Sequence, residues 1–232
     1  MIQGVLPAVV LDGVIDVSHY NGAIDWPAVA GARVALAFVK ATQGTGFVDP
    51  TFARNRDAAI GAGILVVPYH FLDPSDPDDQ ADHFLDVARL DVGQPAMLDW
   101  ETAATLDAMV VIGRAVADQT GRDPLAYYGF AQLRQPSPDL AAWPLMLPEY
   151  PRGTVPGAYQ SLVTRPPRLP SGRPAAWDGL PRPYDFHQYT PSGRVAGIAT
   201  QVDRSVWVGS LADLQRWHAT GALPPPEPAP AV

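Results

Sequence analysis

The feature that most restricts the fold is a repeated alternation between short apolar runs and stretches of helical periodicity. The runs are Gly13–Ser18, Arg33–Lys40, Ile64–Phe71, Ala96–Glu101 and Leu125–Phe130. Between them, Ile24-Asp25-Trp26-Pro27 opens a short helix, with Asp25 as N-cap and a proline in the first turn. Thr51–Ala62 reads as a second helix, with Phe52, Ala59 and Ile60 facing inward. Asp78–Leu90 carries Ala81, Phe84, Leu85 and Ala88 at 3-4 spacing, and Leu106, Met109, Val110, Gly113 and Ala117 mark another helix behind an N-cap at Thr105. The apolar runs are continuous rather than alternating, as strands buried on both faces require. Helices between such strands predict a parallel sheet with helical cover, an α/β fold.

After Phe130 the pattern changes. Arg134–Pro183 is rich in Pro and Gly, with short strand candidates at Pro144–Leu147 and Gly157–Gln160 and no long helix. Strands follow at Asp185–Thr190 and Asp203–Trp207, then a helix at Ser210–Trp217. Ala41–Gly46 reads as a polar, glycine-containing loop. The Pro- and Ala-rich tail from Leu223 is expected to be extended or disordered. A chain of 232 residues, 47% hydrophobic, can build one large core, so a single domain is expected.

Several functions are set aside by composition. Without cysteine there is no disulfide scaffold, no thiolate metal site and no thiol nucleophile. A formal net charge of −8 without a basic cluster argues against nucleic acid. The apolar stretch within residues 1–12 lacks a basic n-region, and no later stretch approaches a membrane span, so neither a signal peptide nor membrane insertion is expected. The histidines His19, His70, His83, His187 and His218 show no metal-binding spacing. His83 and His218 read as surface residues, and His70 as a support of the sheet's end. Ser18 and Ser205 lack a nucleophile-elbow setting, and no cofactor motif is present.

The chemistry concentrates at Ala96–Glu101. On a strand Met97, Asp99 and Glu101 share one face, while Leu98 and Trp100 share the other. Two acids side by side in a partly dry setting have their pKa values pushed apart, so one keeps a proton while the other stays charged. The plain alternative is a strand end whose acids face solvent or cap a helix. In a parallel barrel the catalytic groups sit at the carboxyl ends of the strands. Asp16, Lys40, Tyr69, Asp99, Glu101, Tyr128 and Gln188 all fall at or near such ends. Acids and aromatics at one mouth suit a glycan, because sugar C–H faces stack on rings and hydroxyls need polar partners. Cleaving a glycoside needs a protonated carboxyl for the leaving oxygen, and negative charge or an internal nucleophile for the oxocarbenium-like centre. The alternatives are structural: Asp16 as a cap of the first turn, Lys40 with a solvated head group, and Tyr69, Tyr128 and Tyr150 as barrel packing.

In order and spacing, several stretches resemble the lysozyme-type muramidases of glycoside hydrolase family 25. They are DVSHYNGAIDW (Asp16–Trp26), FVKATQGTGFVDPTFARN (Phe38–Asn55), PYHF (Pro68–Phe71), LDWE (Leu98–Glu101), HQYTPSGRVAGI (His187–Ile198) and VDRSVW (Val202–Trp207). The resemblance spans Gly13–Trp217 and implies a TIM-like (β/α)5(β)3 barrel over residues 13–220, between a short N-terminal extension and the tail. It implies metal-free hydrolysis of the β-1,4 bond between N-acetylmuramic acid and N-acetylglucosamine in peptidoglycan. Glu101 matches the family's general acid/base, Asp99 the carboxylate beside it, and Asp16 and Asp203 the other acids of its pocket. Lys40, Tyr69 and Tyr128 match groove positions, and Tyr150 and Gln188 are further groove candidates. The resemblance implies retention of configuration, either with the substrate's 2-acetamido oxygen oriented by Asp99 or Asp203 or through a covalent Asp intermediate. The chain departs from many relatives at Gln43 (often Glu) and His187 (often aromatic), and in the proline content of residues 143–183. The expectation is a monomeric phage or prophage endolysin, made in the host cytoplasm and released to the wall by a holin-type pore. A bacterial autolysin or an effector exported by another route is the nearer variant. The alternative from a different class is a non-catalytic glycan-binding module on the same barrel.

Overall fold

The computed structural model describes residues 7, 9–132, 140, 142–150, 158–159, 163 and 184–224. The order of elements is β1 (Val10–Val17), α1 (Trp26–Gly31), β2 (Leu36–Gln43), β3 (Phe47–Val48), α2 (Phe52–Gly61), β4 (Leu65–Phe71), α3 (Pro77–Ala88), β5 (Met97–Trp100), α4 (Leu106–Thr120), β6 (Leu125–Tyr128), β7 (Leu145–Pro148), β8 (Phe186–Gly193), β9 (Val202–Val208) and α5 (Leu211–Thr220). All strands but β3 close into one eight-stranded barrel, because β1 pairs with both β2 and β9. Pairing is parallel from β1 round to β8. β9 runs antiparallel to both β8 and β1, which closes the ring without a further crossover. This is the expected α/β barrel, with described helices α1 to α4 between its early strands and β8 joined to β9 without a helix.

Strand alternation sorts the core into two layers. Val14, Leu36, Phe38, Val67, Met97, Leu125, Met146, Phe186 and Trp207 fill the barrel interior. Ile15, Val17, Ala37, Val39, Leu98, Trp100, Ala126 and Tyr128 point outward and join the buried faces of the helices. The amino-terminal end of the barrel is stoppered by α5. Ser210 and Asp213 start this helix with a reciprocal capping box, and Gly221 (φ 78°) ends it. Its Leu214 and Trp217 belong to the interior cluster. The Trp217 ring lies 5.3 Å from Phe186 and 5.6 Å from Trp207. Arg122 donates to the carbonyls of Trp217 and His218, both at 3.0 Å, tying the stopper to the end of α4. On the outside of β8 and β9, Tyr159 and Val163 pack against Tyr189 and Val206.

The caps expected at Asp25 and Thr105 are formed, each side chain accepting the backbone N–H three residues on. Other expectations need correction. β2 continues through Gln43 and turns back as β3, so Ala41–Gln43 are strand rather than loop; the Thr42–Val48 and Gln43–Phe47 pairs hold the hairpin. Ile60 is 58% exposed, because the core-facing stripe of α2 runs through Phe52, Asn55 and Ala59. β1 starts at Val10, ahead of the first strand expected from Gly13. Arg89 adopts a left-handed conformation (φ 52°) and stops α3 before Leu90. His218 is half-buried and its Nε2 lies 3.0 Å from the Val66 carbonyl, so it is not a free surface group. Of the strand expected at Gly157–Gln160, Gly157 and Gln160 lie outside the described residues, and Tyr159 is helical, its carbonyl accepting an i+4 bond from Val163 N–H. The tail beyond Pro224 also lies outside them.

Candidate active site

At the carboxyl-terminal end of the barrel, a cleft of about 350 Å³ is lined by Asp16, Lys40, Tyr69, Asp99, Glu101, Tyr127, Tyr150, Gln188 and Asp203, with Ser18, Tyr20, Phe71, Met97 and Pro191 completing it. The inward positions of the strands deliver these groups in register. Asp16 faces Asp203 directly across the β1–β9 ladder, where like charges disfavour each other. Asp99 stands beside Phe71 on β4 and Tyr127 on β6. Lys40 pairs with Tyr69, and Tyr69 with Met97. Met97, Asp99 and Glu101 share the inner face as their spacing requires.

Asp16 is 7% exposed and takes no part in capping the first turn, which Ser18 and Asn21 close reciprocally. Its Oδ2 accepts from Gln188 Nε2 at 3.0 Å. Gln188 Oε1 in turn accepts from Tyr127 OH at 2.9 Å and Tyr150 OH at 2.6 Å. This relay fixes the Gln188 amide so that its N–H₂ must face Asp16. Lys40, only 6% exposed, donates to Gln43 Oε1 at 2.8 Å and stands 4.4 Å from the centre of the Phe71 ring. Below it Thr42 Oγ1 and His70 Nδ1 lie 2.8 Å apart, and Gln80 Oε1 is 3.2 Å from His70 Nε2. Burial lowers the His70 pKa to about 4, so it stays neutral and braces the mouth.

The acids cannot all be charged at once. Burial, then the Glu101 and Asp16 charges, raise Asp99 well above the usual carboxylate range, against the pull of Lys40. Burial, then Asp203, raise Asp16 well above it, with the Gln188 hydrogen bond opposing. Burial, then Glu101, carry Asp203 to about 7. Burial raises Glu101 and Lys40 opposes. Among the described residues, one buried oxygen on each of Asp16 and Asp99 has no hydrogen-bond partner, which a bound proton or an incoming donor would satisfy. Four carboxyls beside one ammonium therefore form a proton-holding cluster whose titrations belong to the group rather than to single residues. Glu101, beyond the end of β5, is exposed at the rim, whereas Asp99 is 9% exposed.

Of the residues expected at the site, Asp16, Lys40, Tyr69, Asp99, Glu101, Tyr150, Gln188 and Asp203 converge on the cleft. Tyr128 does not: it points outward, fully buried, with its ring 5.3 Å from Trp100. Tyr127 takes its place, and strand alternation from Leu125 was the signal that could have found it. Gly129 is a further site residue that no sequence pattern marks. A Cβ there would sit 2.4 Å from Glu101 Cβ and 2.7 Å from its Cα.

A closed α/β barrel that gathers raised-pKa carboxyls at the carboxyl ends of its strands has the layout of an acid–base glycosidase. Comparison with known proteins agrees. The chain belongs to glycosyl hydrolases family 25, whose sequence model matches residues 15–198, and it is accordingly a glycoside hydrolase. It is 30% identical over 222 residues to Lysozyme M1 of Streptomyces globisporus, covering 86% of this chain and 69% of that one. It is 34% identical over 214 residues to the uncharacterized protein YegX of Escherichia coli K12, covering 87% and 71%. Among solved structures it resembles the bacterial lysozyme of Streptomyces coelicolor, with a TM-score of 0.73, 28% identity and coverage of 89% and 97%.

Proposed function

We propose that this chain is a peptidoglycan hydrolase of the lysozyme type, cleaving the β-1,4 bond between N-acetylmuramic acid and N-acetylglucosamine. The observation that carries this reading is the convergence of Asp16, Asp99, Glu101 and Asp203 with Lys40 in one cleft. Likeness to Lysozyme M1 supports the substrate class. Glu101 is assigned as general acid, giving its proton to the departing glycosidic oxygen and recovering one from water in the second half-reaction. Burial raises its pKa, and its place at the rim leaves the carboxyl open to a bound chain. The remaining carboxyls supply negative charge to the oxocarbenium-like centre. Asp99 or Asp203 would orient the substrate's acetamido group where that group is the nucleophile.

Reducing-end release from purified peptidoglycan, with mass spectrometry of the products, tests the reading. Reducing N-acetylmuramic acid ends from the wild type, lost in Glu101→Gln, are expected. Reducing N-acetylglucosamine ends would overturn the bond assignment. No release from several wall types would leave a glycan-binding barrel. For delivery we extend the proposal to a monomeric, phage-type enzyme that a holin-type pore releases to the wall. Lysis on coexpression with a holin, given by neither protein alone, is the expected result.

A further inference from the structure

At the rim of the cleft a cluster of aromatic side chains stands exposed on a well-tied backbone. Tyr20 lines the cleft yet is 79% exposed, and Phe47, on β3, is 40% exposed. The His19 ring lies between them, 4.0 Å from Tyr20 and 5.5 Å from Phe47 by ring centres. Lys40 Nζ, also on the cleft, is 5.8 Å from the Phe47 ring, so the cluster continues the cleft wall without a break.

Its support is more elaborate than an idle surface loop needs. Asp49 is 2% exposed, and its carboxylate accepts the His19 backbone N–H at 2.9 Å and lies 2.8 Å from His19 Nδ1. The other oxygen accepts the Thr51 N–H and hydroxyl. These bonds outweigh burial and lower the Asp49 pKa, so the carboxylate stays charged and keeps the imidazole oriented. The turn bearing Tyr20 is tied down separately. Asn21 Nδ2 donates to Gln201 O at 3.0 Å and Thr200 Oγ1 at 3.2 Å, and Arg54 donates to Gly22 O at 3.0 Å. The backbone that carries the two exposed rings is thus already ordered, which reduces what a ligand stacking on them loses to ordering the protein.

We infer that Tyr20, His19 and Phe47 form a glycan-binding platform that holds a sugar of the strand outside the cleavage cleft, on the Lys40 side. The occupant is a carbohydrate chain because the platform is continuous with a cleft read as taking one. Its rings offer faces to sugar C–H groups, and His19 and the Tyr20 hydroxyl offer polar edges. This inference rests on the proposed function for the identity of the chain, and adds the direction in which the chain runs and the residues that favour long strands over short ones.

The test separates the two claims by reading binding in a protein that cannot turn over. Glu101→Gln is titrated with peptide-free glycan strands of alternating N-acetylglucosamine and N-acetylmuramic acid, sized into short and long fractions. Affinity should rise with length, and Tyr20→Ala or Phe47→Ala in the same background should remove that increment. For long strands we expect roughly five- to tenfold weaker binding per ring lost, with the shortest fraction affected much less. Tyr20→Phe, which keeps the ring, should keep most of the increment, and melting curves confirm that each variant is folded. A length increment that survives in folded Tyr20→Ala/Phe47→Ala overturns the platform. So does an equal loss at every length. Neither outcome bears on whether the wild type releases reducing ends, which reports on the proposed function alone.

Discussion

Gly129→Ala asks how tightly the fold positions the proposed acid. The carboxyl end of β6 passes directly against Glu101, and an added methyl would meet Glu101 Cβ at 2.4 Å, its Cα at 2.7 Å and Gln132 Oε1 at 2.8 Å. Carbon atoms at rest stand about 3.5–4.0 Å apart, so something must move by about 1 Å. The obstacle is backbone, and that backbone is pinned. Gly129 N donates to Trp100 O at 2.8 Å, Gln132 Nε2 to Thr102 O at 2.5 Å, and Thr102 Oγ1 to Leu72 O at 2.8 Å. Overpacking of this kind costs about 1–3 kcal/mol, and a displacement of about 1 Å at a catalytic group can lower turnover by about 10²-fold. We expect kcat for reducing-end release to fall by about that factor, with KM changed less than about threefold, while the melting temperature drops by only several degrees. Gly31→Ala is the control. It lies in α1 with nothing within 4 Å of its added methyl, so stability and activity should hold. The reasoning is refuted if folded Gly129→Ala keeps full kcat, or if its loss of rate merely follows its loss of folded protein.

Lys40 lowers the pKa of both Asp99 and Glu101, so Lys40→Met should raise both and move the alkaline limb of the kcat–pH profile upward; a limb that stays put excludes Lys40 from the proton balance. Burial and the Glu101 charge push Asp203 up to about 7 in the folded chain against an ordinary 3.8, so folding tightens proton binding at this corner of the cluster. Its stabilising contribution is complete below about pH 4 and lost as the pH climbs through 7. Asp203→Asn should therefore raise the melting temperature by a few degrees at pH 8 and by almost nothing at pH 4, and an equal gain at both would show that charge is not the cause. Tyr127→Phe removes a donor from Gln188 and should lower turnover by roughly threefold or more. Tyr128→Phe, on the outer layer, should change it less than twofold, and reversed outcomes would contradict the strand facing.

Much of this is legible in the amino-acid sequence, for reasons that differ by residue. The barrel follows from continuous apolar strands alternating with helices, and the inward set Met97, Asp99, Glu101 follows from the two-residue period alone. Sequence alone does not separate Tyr127 from Tyr128, because two adjacent tyrosines look alike until the register with Asp99 fixes which one faces in. The β2–β3 hairpin hid behind Gly44 and Gly46, which read as loop, although Thr42 and Gln43 still pair as strand. Gly129 could not be read at all, since its constraint is a contact with Glu101 from the neighbouring strand. The pairing of Asp16 with Asp203 likewise depends on how the chain's two ends meet.

The barrel can hold such an acidic mouth because its two ends are built differently. Near the amino-terminal end the interior is apolar and aromatic, with Phe186, Trp207 and Trp217 in mutual contact and Arg122 bonded to the Trp217 and His218 carbonyls of α5. Burying each such ring contributes about 1.5–3 kcal/mol, and none of that energy depends on pH. Near the other end, Asp16 and Asp203 oppose each other and Asp99 is buried beside Glu101, an arrangement that stabilises the fold only while protons are held. The strain is confined to one layer of side chains at the strand ends, where a substrate can relieve it by taking a proton from one carboxyl and supplying positive charge to the others. On this reasoning the same repulsion that opposes folding above neutral pH favours the oxocarbenium-like state once a glycan is bound, so the instability of the mouth and its proposed catalytic power share one electrostatic origin.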